Sequence, residues 1–112
     1  MHELSITRNI VALCAEAAKG RRVRRITVQI GDLSGVMGDA VAFCFDVVAR
    51  QTPVEGAALD IVRVAGRARC LACSTVFDTP TLYQPCPCGA REFTRIAGEE
   101  LLVKSIEIDD AA

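Results

Sequence analysis

Four cysteines fall in two close pairs, Cys70-Leu-Ala-Cys73 and Cys86-Pro-Cys88-Gly89, separated by the twelve residues 74–85. Four thiolates can close the coordination shell of a tetrahedral Zn²⁺ and leave no open position for a substrate or an activated water, so the ion they imply is structural. Zinc would also order a segment that holds too little apolar surface to fold by burial alone. The first pair has the usual Cys-x-x-Cys spacing. The second is one residue shorter, and Pro87 has no N–H to give to a sulfur. Gly89 suits the tight turn of a metal knuckle. Should one cysteine of the second pair not bind, Asp78 and Glu92 are the nearest carboxylate substitutes. A redox Cys-x-x-Cys is the competing chemistry, but such a pair opens a helix after a strand, and Arg67 to Arg69 gives no sign of one.

The only histidine is His2. With Met1 retained, the α-amine and the His2 amide nitrogen close one small chelate ring on a metal, and the amide and imidazole close another. The Glu3 amide completes a set of four nitrogens, expected in a plane. Planar nitrogen donors suit Ni²⁺ or Cu²⁺ and suit tetrahedral zinc poorly, so the amino terminus and the cysteine cluster would sort metals by geometry. A site on a short terminus can also open and release its ion, as a carrier must. It offers no base and nucleophile pair, so no catalytic residue is expected and the protein is read as a non-enzyme.

The elements that must position these residues are modest. At 112 residues the chain has room for one ordinary domain with a small metal-stapled appendage. Its hydrophobic share is 51%, yet it holds one Tyr, four Phe and no Trp, so the core must be built from Val, Ile, Leu and Ala. A net charge of −1 provides no field to hold a polyanion or an anionic bilayer. No stretch approaches the roughly 20 apolar residues that span a membrane, and Met1 to Gly20 lacks the pattern of an export signal. The expectation is a cytoplasmic protein.

From Ser5 to Lys19, Ile6, Ile10, Leu13, Cys14, Ala17 and Ala18 recur at helical spacing, with Ser5 as N-cap and Gly20 as C-cap. Arg24 to Ile30 alternates like a half-buried strand. After the glycine-rich turn Gly31 to Gly38, Asp39 caps a second helix with an apolar face of Val41, Phe45 and Val48. Leu59 to Val64 is a strand whose apolar parity changes near Ile61 and Val62, which predicts a bulge or two-sided burial. A last strand runs from Glu100 to Ile108. Between these strands Gly66 to Gly98 shows no periodicity and collects the cysteines, and such a long irregular segment needs its own source of order. The predicted fold is α+β. Residues 1–65 and 99–112 form a unit of two helices and a three-stranded sheet, and residues 66–98 form an inserted zinc-ribbon-like module.

Met1-His2-Glu3-Leu4-Ser5, Ile30-Gly31-Asp32-Leu33-Ser34-Gly35-Val36, the paired cysteines and Ile106-Glu107-Ile108-Asp109 occur in this order. Together they resemble the HypA/HybF family, nickel-incorporation proteins of [NiFe]-hydrogenase maturation, over essentially the whole chain. The resemblance implies that the Met1 amine, His2 and the Glu3 backbone bind nickel, and that Cys70, Cys73, Cys86 and Cys88 hold zinc. It implies delivery of nickel to the hydrogenase large subunit in concert with the GTPase HypB, by a monomer or homodimer. One departure concerns the second pair, commonly Cys-Pro-x-Cys in the family. Counting back from Ile106 places Cys88 at the usual second position, so the shortening falls on Cys86. Some members use acidic residues after the glycine-rich loop for nickel, and Asp39 does not match that position cleanly.

Two other classes compete. A zinc-ribbon module for nucleic acid or protein binding would use Arg67, Arg69 and Arg91 around the knuckle and would be indifferent to His2. A thiol oxidoreductase would need a perturbed Cys70 or Cys73. Arg21-Arg22-Val23-Arg24-Arg25 lies at a helix-to-strand turn without stacking aromatics, which fits a solvated or partner-facing loop better than a nucleic-acid site. Cys14 and Cys44 fall on the helices' apolar faces and are expected to be packing residues.

Overall fold

A computed structural model describes residues 2–81 and 84–109, His2 by its backbone alone. The first helix, α1, spans His2–Ala18 and so begins three residues before the expected cap. Ser5 lies inside it, and Glu3 supplies the negative charge that a first helical turn favours. Its far end closes as expected on a left-handed Gly20, φ +84°, preceded by Lys19 at φ +52°. Thr7, Ile10, Val11, Cys14 and Ala18 are buried, whereas Leu13 is exposed.

Strand β1 (Val23–Gly31) is central, flanked in parallel by β2 (Ala58–Val64) and antiparallel by the last strand, β6 (Leu101–Ile108). A parallel pair needs a crossover. Helix α2 (Gly38–Val48) provides it between β1 and β2. Both helices cover one face, where Ile26, Val28 and Ile30 meet Val41, Phe45, Ile10 and Cys14 in one core. On the other face Arg25 stands between Asp60 and Glu107 and pairs with both.

The expected irregularity in β2 is absent. Its register with β1 runs unbroken from Arg25↔Ala58 to Gly31↔Val64. Leu59 and Ile61 pack on the core, and Val62 simply faces outward, 42% exposed. The irregularities lie on the other side of β1, where Arg24 and Lys104 are the unmatched residues in its pairing with β6. Asp39 does not cap α2. Met37 holds the N-cap position without a side-chain bond, and the Glu3 carboxylate of α1 accepts the Met37 N–H at 3.2 Å. A cap supplied from another helix leaves no signature in the local sequence.

A second sheet, in the order β4-β3-β5, is built from β3 (Arg67–Cys70), β4 (Val76–Asp78) and β5 (Phe93–Ala97). These strands are too short to show a period. Their small core is Ala68, Cys70, Phe77 and Cys86, with Ala90 and Phe93 beside it. The Phe77 and Phe93 rings meet edge to face with centroids 5.8 Å apart. Among the described residues no helix is long and apolar enough to cross a membrane.

Candidate metal centre

Cys70 ends β3, and the tight turn that follows brings Cys73 back toward it. The Ala72 and Cys73 N–H groups both donate to Cys70 Sγ at 3.4 Å, and Ser74, with φ +64°, donates its N–H to the Cys70 carbonyl at 2.9 Å. On the opposing loop Gly89 (φ +93°) donates to the Cys86 carbonyl at 2.8 Å, and the Cys86 N–H bonds the Ala90 carbonyl at 3.0 Å. The short pair therefore forms a closed knuckle despite Pro87.

These turns place the four Sγ atoms within 4.8 Å of one another. Cys70 to Cys88 and Cys73 to Cys86 are each 3.7 Å. A tetrahedron with metal–sulfur bonds of about 2.3 Å has edges of about 3.8 Å, so the cage has the size of a Zn²⁺ site. Cys86 takes its place in the cage with the other three. Cys70 and Cys86 are buried and Cys73 and Cys88 exposed, so the cage is rooted in the small core and capped at the surface.

The thiols differ in acidity. Hydrogen bonds from the Thr75 side chain and backbone lower Cys73 to about 6 from its ordinary 9.0. At Cys86 a hydrogen bond from the Cys88 backbone lowers the value, but desolvation and protons shared with Cys88, Cys73 and Cys70 outweigh it and push the thiol up to about 12. The metal-free cluster thus sets a ready thiolate at Cys73 beside a thiol at Cys86 that keeps its proton. Thr75 carries no signal in the sequence, because a hydroxyl two residues after a cysteine is unremarkable until the turn closes.

At the other candidate site, Met1 and the His2 side chain lie outside the described residues. The backbones of His2 and Glu3 open α1. The Thr7 hydroxyl donates to the Glu3 carbonyl at 2.6 Å, so this first turn is braced from within the helix as well as by Met37. An open cavity of about 430 Å³ beside Met37 is lined by Asp32, Asp39, Ile61 and Arg63, and Arg63 directs two N–H groups to one Asp32 oxygen at 2.9 and 3.0 Å. Cys14 is buried, and burial raises its pKa; Cys44 is only half-buried, at the border of its helix's packed face. Neither approaches the cage.

An α+β unit joined to a small β-module with a four-cysteine metal cage defines a small metal-binding protein. The family described as hydrogenase/urease nickel incorporation, metallochaperone, hypA, matches residues 1–108. A hydrogenase maturation factor HypA from Geobacter sulfurreducens is 49% identical over 110 residues, covering 97% of this chain and 100% of the relative. One from Trichormus variabilis is 44% identical, covering 98% and 97%. The solution structure of the Ni metallochaperone HypA from Helicobacter pylori superposes with a TM-score of 0.67 at 29% identity, covering 95% of this chain and 96% of that one. The chain belongs to the HypA family of nickel-incorporation metallochaperones.

Proposed function

We propose that this chain carries Ni²⁺ at its amino terminus to the [NiFe]-hydrogenase active site, while a structural Zn²⁺ holds the cysteine module. Nickel is held by the Met1 amine, the His2 amide and imidazole, and the Glu3 amide. The first amides of a helix have no intrahelical acceptor, so a metal can take their nitrogens without breaking the helical ladder. Two deprotonated amides also cancel the charge of Ni²⁺, which removes its repulsion by the positive end of the α1 dipole.

Chelate geometry refines the planar picture. The His2 amide shares a ring with the Met1 amine, with its own imidazole and with the Glu3 amide, and each ring demands a neighbouring position. A square gives each donor only two neighbours, so three nitrogens share the plane and the fourth stands outside it. The remaining in-plane place is left to an exchangeable donor, which suits a carrier.

Cys70, Cys73, Cys86 and Cys88 take the zinc, and residues 66–98 act as a unit apart from 1–65 and 99–112. The partners are the GTPase HypB and the hydrogenase large subunit; the carrier works in the cytoplasm, performs no catalysis and needs no nucleic acid. Of the arginines that a nucleic-acid module would use, Arg67 pairs with Asp78 and Arg69 bonds the Ser74 carbonyl within the protein. The observation that carries the reading is the match of a nickel-incorporation family to residues 1–108, which includes both His2 and all four cage cysteines. Metal analysis and nickel titration of the untagged protein and of His2→Ala test it. One tightly held zinc is expected in both, with specific nickel binding in the parent only. Equal nickel uptake by the variant refutes it.

A further inference from the structure

Leu33 is buried, 8% exposed, yet it belongs to neither hydrophobic core. It sits where the chain leaves the first sheet at Gly66 and re-enters it after Gly98. Its side chain rests on the bare backbone of both. A Cβ on Gly66 would lie 2.9 Å from Leu33 Cγ and Cδ1, and one on Gly98 would lie 3.1 Å from the same atoms. Gly31 completes the joint, since a Cβ there would lie 2.0 Å from the Gly98 carbonyl oxygen. Backbone bonds fasten it: Leu33 N–H to Gly98 O at 2.6 Å, Gly31 N–H to Glu100 O at 2.7 Å, Asp32 N–H to Val64 O at 2.9 Å and Thr79 N–H to Gly66 O at 2.9 Å.

The same loop ends at Met37, whose N–H bonds the Glu3 carboxylate at 3.2 Å. Between the two, Val36 donates its N–H to Ser34 Oγ at 3.1 Å and packs on the larger core. One end of this short loop thus seats in the joint to the cysteine module, and the other braces the first turn of α1.

We propose that Leu33 is a positioning residue for nickel: seated among Gly31, Gly66 and Gly98, it fixes the loop from which Met37 anchors the nickel-binding turn. This rests on the amino-terminal nickel reading above. An unseated loop would leave that turn to be ordered at the moment of binding, and the ordering entropy would subtract from affinity. Coupling is reciprocal, so bound nickel must in turn tighten the joint.

Full-length Leu33→Ala and the volume-conserving Leu33→Met, each checked for zinc content, are titrated with Ni²⁺ beside wild type and His2→Ala. Leu33→Ala should keep its zinc and bind nickel about tenfold more weakly, within the usual range for coupled sites, whereas Leu33→Met should bind as wild type does. In wild type, where folding is not in question, Ni²⁺ should slow hydrogen exchange at the Leu33 amide about fivefold or more, and it should do nothing in His2→Ala. If Leu33→Ala binds nickel as tightly as wild type, or if nickel bound through His2 leaves Leu33 exchange unchanged, the inference falls and the His2 site stands. A wild type that takes up no nickel, or a His2→Ala that takes it up equally, overturns both.

Discussion

In the metal-free cage the Cys73 thiol gives up its proton readily, and the Cys86 thiol holds its own. The Cys73 value lies below the ordinary 9.0, so its thiolate stabilises the fold above pH 9 and that contribution fades as the pH falls through about 6. Cys86, pushed up to about 12, has the opposite sign: its contribution is complete below pH 9 and is lost as the pH rises through about 12. Alkylation of the metal-free protein with iodoacetamide, mapped by mass spectrometry across pH, should modify Cys73 with a midpoint near 6 and modify Cys86 far more slowly. Equal rates at Cys73 and Cys86 would contradict the hydrogen-bond pattern around Thr75. The spacing of the cysteines and the position of His2 are visible in the sequence because ligand sets are local patterns. Thr75 and the Glu3 carboxylate are not, because their roles depend on partners brought close only by the turn at Ser74 and by the approach of α1 to residue 37.

Helix α2 illustrates the same division between local and remote causes. Its apolar period is legible in Val41 and Phe45, both buried, but its start is not, because the charge that meets the Met37 N–H comes from α1. Met37 has an extended backbone, φ −92° and ψ 112°, and is 66% exposed, so a serine there would gain a side-chain cap and lose almost no packing. Met37→Ser should raise stability by about 1 kcal/mol, measured as a higher urea midpoint with an unchanged slope. A lower midpoint would mean that the methionine side chain makes a contact the fold needs. The strands divide likewise. β1 shows its alternation because one face is buried and the other is polar. β2 misleads because Val62 is an apolar residue facing outward, and the β3–β5 sheet is hidden because strands of three to five residues cannot display a period.

Across the whole molecule, two sheets with separate cores depend on different sources of order. Among the described residues the larger core buries twelve, whereas the smaller has four, two of them cage cysteines. Removing the metal with a strong chelator should therefore release the Phe77–Phe93 contact, seen as lost chemical-shift dispersion of those rings, while signals of Ile26, Val41 and Phe45 persist. Retention of the Phe77–Phe93 contact without metal would show that burial alone suffices there. The presence of a separate cysteine module follows from sequence, since periodicity is lost at Gly66 and returns near Glu100. The joint itself does not, because Leu33 looks like any turn residue until the glycines meet around it.

In the proposed carrier the two metals are kept apart by donor type, nitrogen at the amino terminus and sulfur in the cage. X-ray absorption at both metal edges of one sample loaded with nickel and zinc tests this most directly. Zinc should show four sulfur neighbours at about 2.3 Å, and nickel only nitrogen and oxygen neighbours. Sulfur in the nickel shell would show that nickel enters the cage and that donor type does not separate the two metals.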